Sequence, residues 1–229
     1  DEVIVPPYTF MATASSVLEV NAIPVFADVE LDTFNLSPEA VEQAITPRTR
    51  AIIPVHFAGL AADMDALWEI ARKHDLFVIE DAAHAWGSEW KGTKLGAQGN
   101  VGCFSFQMSK NITAGEGGIA LTNDEDLADK VRSYSNCGRL KGGEWYAHYI
   151  MGGNYRLTEI QAAILLCQLS RLDEHVEIRE RNGQFLDSQL GDIPGIKMLR
   201  RDERVNRRSW HLYCCRYDAE ELEGIPRQR

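Results

Sequence analysis

From the first residue to about 135, short apolar runs rich in β-branched residues alternate with stretches whose apolar positions recur every three or four residues. That alternation is the pattern of an α/β domain built on a largely parallel sheet. It predicts strands over 3–6, 24–29, 51–56, 76–80, 101–106 and 118–122. The near-continuous apolar runs Ala51-Ile-Ile-Pro-Val55 and Leu76-Phe-Val-Ile79 suit strands covered on both faces. Ser37 before Pro38 reads as a helix N-cap with proline at the first helical position. From 63 to 74, Leu67, Ile70 and Ala71 share one face, and Arg72, Lys73 and His74 suit the negative end of the helix dipole. A similar helix is predicted over 124–134 through Leu127, Val131 and Tyr134. Thr158-Glu-Ile-Gln161 is a capping box opening a long helix, about 158–183, whose Leu165, Leu169, Leu172 and Val176 step by four, three and four. The stretch 138–153, rich in glycine and aromatics, reads as a long loop, and loops of that length tend to be functional. Beyond about 190 the pattern weakens, and a strand over 210–217 opens a smaller second unit.

Composition narrows the class. With 229 residues, 45% hydrophobic and 25% charged, the chain can bury one large core or two modest ones. A net charge of −10 argues against a nucleic-acid partner, since phosphate backbones repel a surface of that sign. The local run Arg200, Arg201, Arg204, Arg207 and Arg208 reads as solvated surface. No apolar run approaches the roughly 20 residues of a membrane helix, and no signal pattern opens the chain, so no membrane partner and a cytoplasmic location are expected. Five cysteines without CxxC spacing support neither a disulfide framework nor a metal site. The chain enters a strand without an initiator Met and stops at Pro226-Arg-Gln-Arg229 without a closing element, so it reads as a fragment.

In an open α/β sheet, ligands bind at the carboxyl ends of the strands. One predicted strand runs into Asp81-Ala-Ala-His84, and the next runs into Gln107-Met-Ser-Lys110 ahead of a glycine-rich turn ending at Gly118. Lys110 follows Asp81 by 29 residues, so the two can flank one small planar ligand. Pyridoxal phosphate (PLP) needs such a pair: a lysine amine for its aldehyde and a carboxylate that keeps its pyridine nitrogen protonated. Taken alone, an Asp such as Asp81 after a strand is more often a helix N-cap and a loop Lys such as Lys110 usually a solvated charge; their joint placement beside the glycine-rich turn brings the two readings to about even.

The run Gly102-Cys-Phe-Ser-Phe-Gln-Met-Ser-Lys-Asn-Ile-Thr-Ala-Gly-Glu-Gly-Gly118 resembles the cofactor-lysine segment of the DegT/DnrJ/EryC1/StrS aminotransferases. Val5-Pro-Pro-Tyr-Thr-Phe10, Ile53-Pro-Val-His56, Glu80-Asp-Ala-Ala-His84 and Gly153-Asn-Tyr-Arg-Leu157 resemble further blocks of that family, in the family's order. The resemblance implies a type I PLP-transferase fold: a large cofactor-binding domain over 1–190, and over 191–229 the beginning of a small C-terminal α+β domain, with both family termini missing. It implies that Lys110 holds PLP as a Schiff base and shuttles the substrate proton, while Asp81 pairs with the pyridinium nitrogen. His84 would sit near the phenolic oxygen, Ser105 on the phosphate, and Phe10 over the ring. Asn154 and Arg156 would reach the phosphate of a neighbouring subunit, making a homodimer with a shared site. Glu116 would shape the glycine-rich turn.

Such enzymes use L-glutamine or L-glutamate as donor. Ser105 to Lys110, Thr113 to Gly117 and Asn136-Cys-Gly-Arg139 look most like the branch acting on inosose-type cyclitols. A nucleotide-keto-sugar aminotransferase, an enzyme like 3-amino-5-hydroxybenzoate synthase, and a non-catalytic regulator or fold remnant stay open as alternatives. A sugar dehydratase of the same superfamily would lack the lysine found at 110.

Overall fold

The computed structural model describes residues 1–222, 224 and 225. All six predicted strands form, with ends shifted by a few residues: β1 (Glu2–Val5), β2 (Ile23–Phe26), β3 (Thr49–Ile52) and β4 (Phe77–Asp81), then, after a two-residue hairpin of β5 (Glu89–Trp90) and β6 (Thr93–Lys94), β7 (Val101–Ser105) and β8 (Gly118–Leu121). They make one sheet in the order β2-β1-β3-β4-β7-β8. The pairings within it are parallel except for β8, which runs antiparallel to β7.

The parallel strands are covered on both faces because alternate side chains point to opposite helices. Ile4, Ile52 and Val78 face one side, where they pack with Val41 of α2 (Pro38–Ala44) and with Leu67 and Ile70 of α3 (Met64–Lys73). Val5 and Ile53 face the other, against Val17 of α1 (Ala12–Glu19). The predicted cap at Ser37 holds, accepting from the Ala40 N–H, and Asp63 caps α3 in the same way by accepting from the Ala66 N–H. The sequence reading gave no helix at α1. Its leading residue, Met11, makes no side-chain cap, and the helix is short and rich in Ser, Thr and Ala.

The helix predicted over 158–183 is two helices. Thr158 and Gln161 form the capping box of α5 (Glu159–Leu169), which follows α4 (Glu125–Ser135), and the chain re-enters helix as α6 (Leu172–Leu190). Ser170 and Arg171 keep near-helical dihedrals, so the hydrophobic spacing runs through the break unmarked. The break serves two contacts. Leu165 of α5 packs with Phe106 and Ile112, whereas Val176 of α6 closes on Gly87, where an added Cβ would lie 2.9 Å from its methyl.

Two further expectations need correction. The strand predicted over 210–217 is reduced to β10 (Cys215–Tyr217), antiparallel to β9 (Ile196–Met198), because buried Trp210 takes a left-handed backbone (φ 46°) that no strand accommodates. The arginine run is not simple surface either. Arg208 is buried with its guanidinium 3.8 Å from the Trp210 ring centre, and Arg204 pairs with Asp63 at 2.8 Å and Asp202 at 2.7 Å. Residues 226–229, read from sequence as lacking a closing element, lie outside the described residues. No helix among the described residues is long and apolar enough to cross a membrane.

Candidate active site

The carboxyl ends of β1, β4 and β7 converge on one place. β4 ends on Asp81, whose register partner across the sheet is Cys103 of β7. Asp81 is held from both sides: Thr13 of α1 donates its hydroxyl to Oδ2 at 2.7 Å, and the Ala83 N–H donates to Oδ1 at 3.2 Å. With the Thr13 proton committed to Asp81, the Thr9 hydroxyl donates to Thr13 at 3.0 Å. The loop after β1 therefore fixes the acid at the end of β4.

Beneath Asp81 lies a fully buried anchor. Glu80 accepts from the N–H groups of Gly96 and Gln98 at 2.7 Å each, from Gly99, and from His56 Nε2 at 2.9 Å. His56 Nδ1 accepts from the Ala62 N–H at 3.2 Å, so its single proton sits on Nε2 and points at Glu80. Burial pushes the Glu80 pKa up, but the His56 and backbone hydrogen bonds outweigh it and hold the carboxyl below its ordinary value.

His84 follows on the same turn. The Ala58 N–H donates to its Nδ1 at 3.3 Å, from a residue with φ 55°. That leaves the proton on Nε2, a donor with no partner among the described residues. Burial, with the charges of His211 and Lys110, lowers the His84 pKa to about 3, so the ring is neutral near pH 7.

Lys110 lies half-buried on the turn after β7. Burial lowers its pKa, and the Asp81 carboxylate pulls it partly back. Ser105 ends β7; its hydroxyl oxygen accepts from the Gln107 N–H at 3.2 Å, which leaves its own proton free to donate. The glycine-rich turn uses left-handed backbone at Gly115 (φ 85°) and Gly117 (φ 139°). Two glutamines of α5 tie it down: Gln161 donates to Glu116 O at 2.8 Å, and Gln168 accepts from the Thr113 N–H at 3.0 Å.

Asp81, His84, Ser105 and Lys110 thus gather at the ends of β4 and β7. Three other candidates stand apart. Phe10 opens the turn into α1 with its ring 75% exposed. Asn154 and Arg156 are exposed on the loop before α5, where Arg156 donates to Asn136 Oδ1 at 2.9 Å. Thr13, Asn111, Ser209 and His211 belong to the same neighbourhood and were absent from the sequence reading. Asn111 stands next to the lysine in the chain, and nothing in the sequence ties it to His211, 100 residues away.

The profile of the DegT/DnrJ/EryC1/StrS aminotransferase family matches residues 1–226. The chain belongs to that family. L-glutamine:2-deoxy-scyllo-inosose aminotransferase of Streptomyces fradiae is 42% identical over 240 residues, covering 99% of this chain and 55% of that protein. GDP-perosamine synthase of Caulobacter vibrioides is 51% identical over 193 residues, covering 84% of this chain and 52% of that protein. Among solved structures of the family, that of 3-amino-5-hydroxybenzoic acid synthase superposes with a TM-score of 0.88 at 41% identity, covering 91% of this chain and 55% of that one. The chain spans about half the length of the curated relatives it matches.

Proposed function

We propose that the protein is a PLP-dependent aminotransferase that moves an amino group from L-glutamine or L-glutamate to the ketone of an inosose-type cyclitol. The observation that carries this reading is the grouping of half-buried Lys110, Asp81 and neutral His84 at adjacent strand ends. The donor set fits PLP: an amine of lowered pKa, an acid oriented on both oxygens, and an imidazole N–H without a partner among the described residues.

Bound PLP supplies an aldehyde for the amine and an electron sink for the substrate carbon that loses its proton. Desolvated Lys110 holds a larger share of neutral amine than a solvated lysine, so it would hold that aldehyde and, when free of it, would take up and return the proton of the substrate carbon. Asp81, steadied by Thr13, would pair with the pyridine nitrogen and keep it protonated. His84 would offer its Nε2–H to the phenolic oxygen, its tautomer being set by the Ala58 amide. Ser105 would offer its free hydroxyl proton to the phosphate, and Phe10, from the turn into α1, would stack on the ring. Asn154 and Arg156 of a second copy reach the phosphate, which makes the working unit a homodimer with a shared site. In this reading 1–190 form the cofactor-binding domain and 191–229 begin the small one, and the enzyme works in the cytoplasm.

The name of the S. fradiae relative supports the cyclitol ketone. The higher identity to GDP-perosamine synthase favours, as a second reading, a ketone on a nucleotide-linked sugar. An amino-transfer assay with glutamine or glutamate against inososes and keto-sugar nucleotides separates the two. Transfer to inososes is the expected result, transfer only to the nucleotide sugars selects the second reading, and transfer to neither defeats both.

A further inference from the structure

Residues 209–211 cross the site from the far side of the chain, and each is fastened to it. Ser209 donates its hydroxyl to His84 O at 2.7 Å, and its N–H goes to the buried Ser88 hydroxyl at 2.9 Å. Gly59 admits this crossing, since a Cβ there would lie 2.1 Å from Ser209 Oγ. Trp210 holds its left-handed backbone under two restraints: Arg179 donates to its carbonyl at 3.0 Å, and its indole N–H reaches Glu180. A strained residue persists where its surroundings over-determine it. The residue delivered by that strain is His211, whose ring stacks on His84 with centres 4.2 Å apart at 27°. Asn111, next to Lys110, spans the strap with both ends of its amide: Nδ2 donates to Ser209 O at 2.9 Å, and Oδ1 faces His211 Nδ1 at 3.1 Å. His211 must therefore donate from Nδ1, which fixes its tautomer and ring plane.

We propose that His211 is a positioning residue: its stack on His84 and its hydrogen bond to Asn111 lock the His84 ring and the turn carrying Lys110 into one rigid unit. The inference rests on the aminotransferase reading only for its kinetic consequence, because the lock itself exists without cofactor. Burial, and then the charges of Lys110 and Arg179, lower the His211 pKa to about 4, so the ring is neutral near pH 7 and the Asn111 bond selects its tautomer.

Three variants test it in the full protein: Asn111→Ala, which removes the acceptor, His211→Phe, which keeps a stacking ring without the N–H, and the double variant. Nitrogen NMR of the ligand-free wild type should show His84 as one fixed tautomer protonated on Nε2. In each single variant that signature should average, because a ring no longer held from the His211 side also slips from the long Ala58 bond. PLP affinity, read by tryptophan quenching, should fall about tenfold, as for loss of a supporting-shell partner, with kcat reduced and the donor KM little changed. The double variant should be no worse than Asn111→Ala alone, because that variant already removes the His211 link together with the Ser209 bond. Unchanged His84 signals with a lowered melting temperature alone would reduce His211 to a packing residue, and multiplying losses in the double variant would overturn the shared lock. If the wild type binds no PLP, the functional reading fails while the NMR comparison still decides the lock.

Discussion

The strand-end half of the site and the loop half are built in opposite ways. At the ends of β4 and β7 every group that carries chemistry is held by another part of the same chain: Asp81 by Thr13, His84 by Ala58 and His211, and the turn after Lys110 by Gln161 and Gln168. Around 138–157 the aromatic and apolar side chains face outward, with Tyr146 86% and Met151 93% exposed. One half is preorganised by its own chain. The other presents Asn154, Arg156 and an apolar surface that a second copy would cover, which is how a site shared between subunits would look from one of them.

Breaking the preorganised half should give the largest effects. Lys110→Ala should lower amino transfer by about 10³-fold or more in single-turnover kinetics, with the melting temperature nearly unchanged because the side chain is only half-buried. Glu80→Ala should cost about 3–5 kcal/mol in urea unfolding, because it strands His56 and three backbone N–H groups in the core.

A pH series sharpens the same point. The folded-state pKa of Glu80 is depressed, so its contribution is present above its ordinary value of 4.5 and is lost as the pH falls through the lower folded value. His84 and His211, held to about 3 and about 4, are also depressed: the unfolded chain takes up their protons first as pH drops through 6.5. Urea midpoints should therefore fall from pH 6.5 downward, and His84→Gln should flatten the upper part of that decline.

On the loop half, Arg156→Ala should leave the melting of the isolated chain unchanged yet weaken PLP binding about tenfold where two copies share the site. Phe10→Ala, at an exposed ring, should shift unfolding by no more than about 0.5 kcal/mol and PLP binding by only a few-fold.

These contrasts also explain what could be read in the sequence. The strands and the helices α2 to α5 announced themselves through local pattern and caps, and Asp81, His84, Ser105 and Lys110 lie just where strands end. What escaped was long-range or locally silent. Ser170 and Arg171 broke a helix without breaking its hydrophobic spacing, Trp210 traded a strand for a left-handed turn, and Arg208 found an indole rather than water. Thr13, Asn111 and His211 carry no local signature, since each acquires its place only when the chain brings distant segments together.

The central claim is that Lys110 carries the cofactor, and borohydride reduction of the PLP-treated protein followed by peptide mapping tests it most directly. A pyridoxyl group on Lys110, absent from Lys110→Ala, is the predicted result. A label on another lysine, or none on a folded protein that has been saturated with PLP, would contradict it.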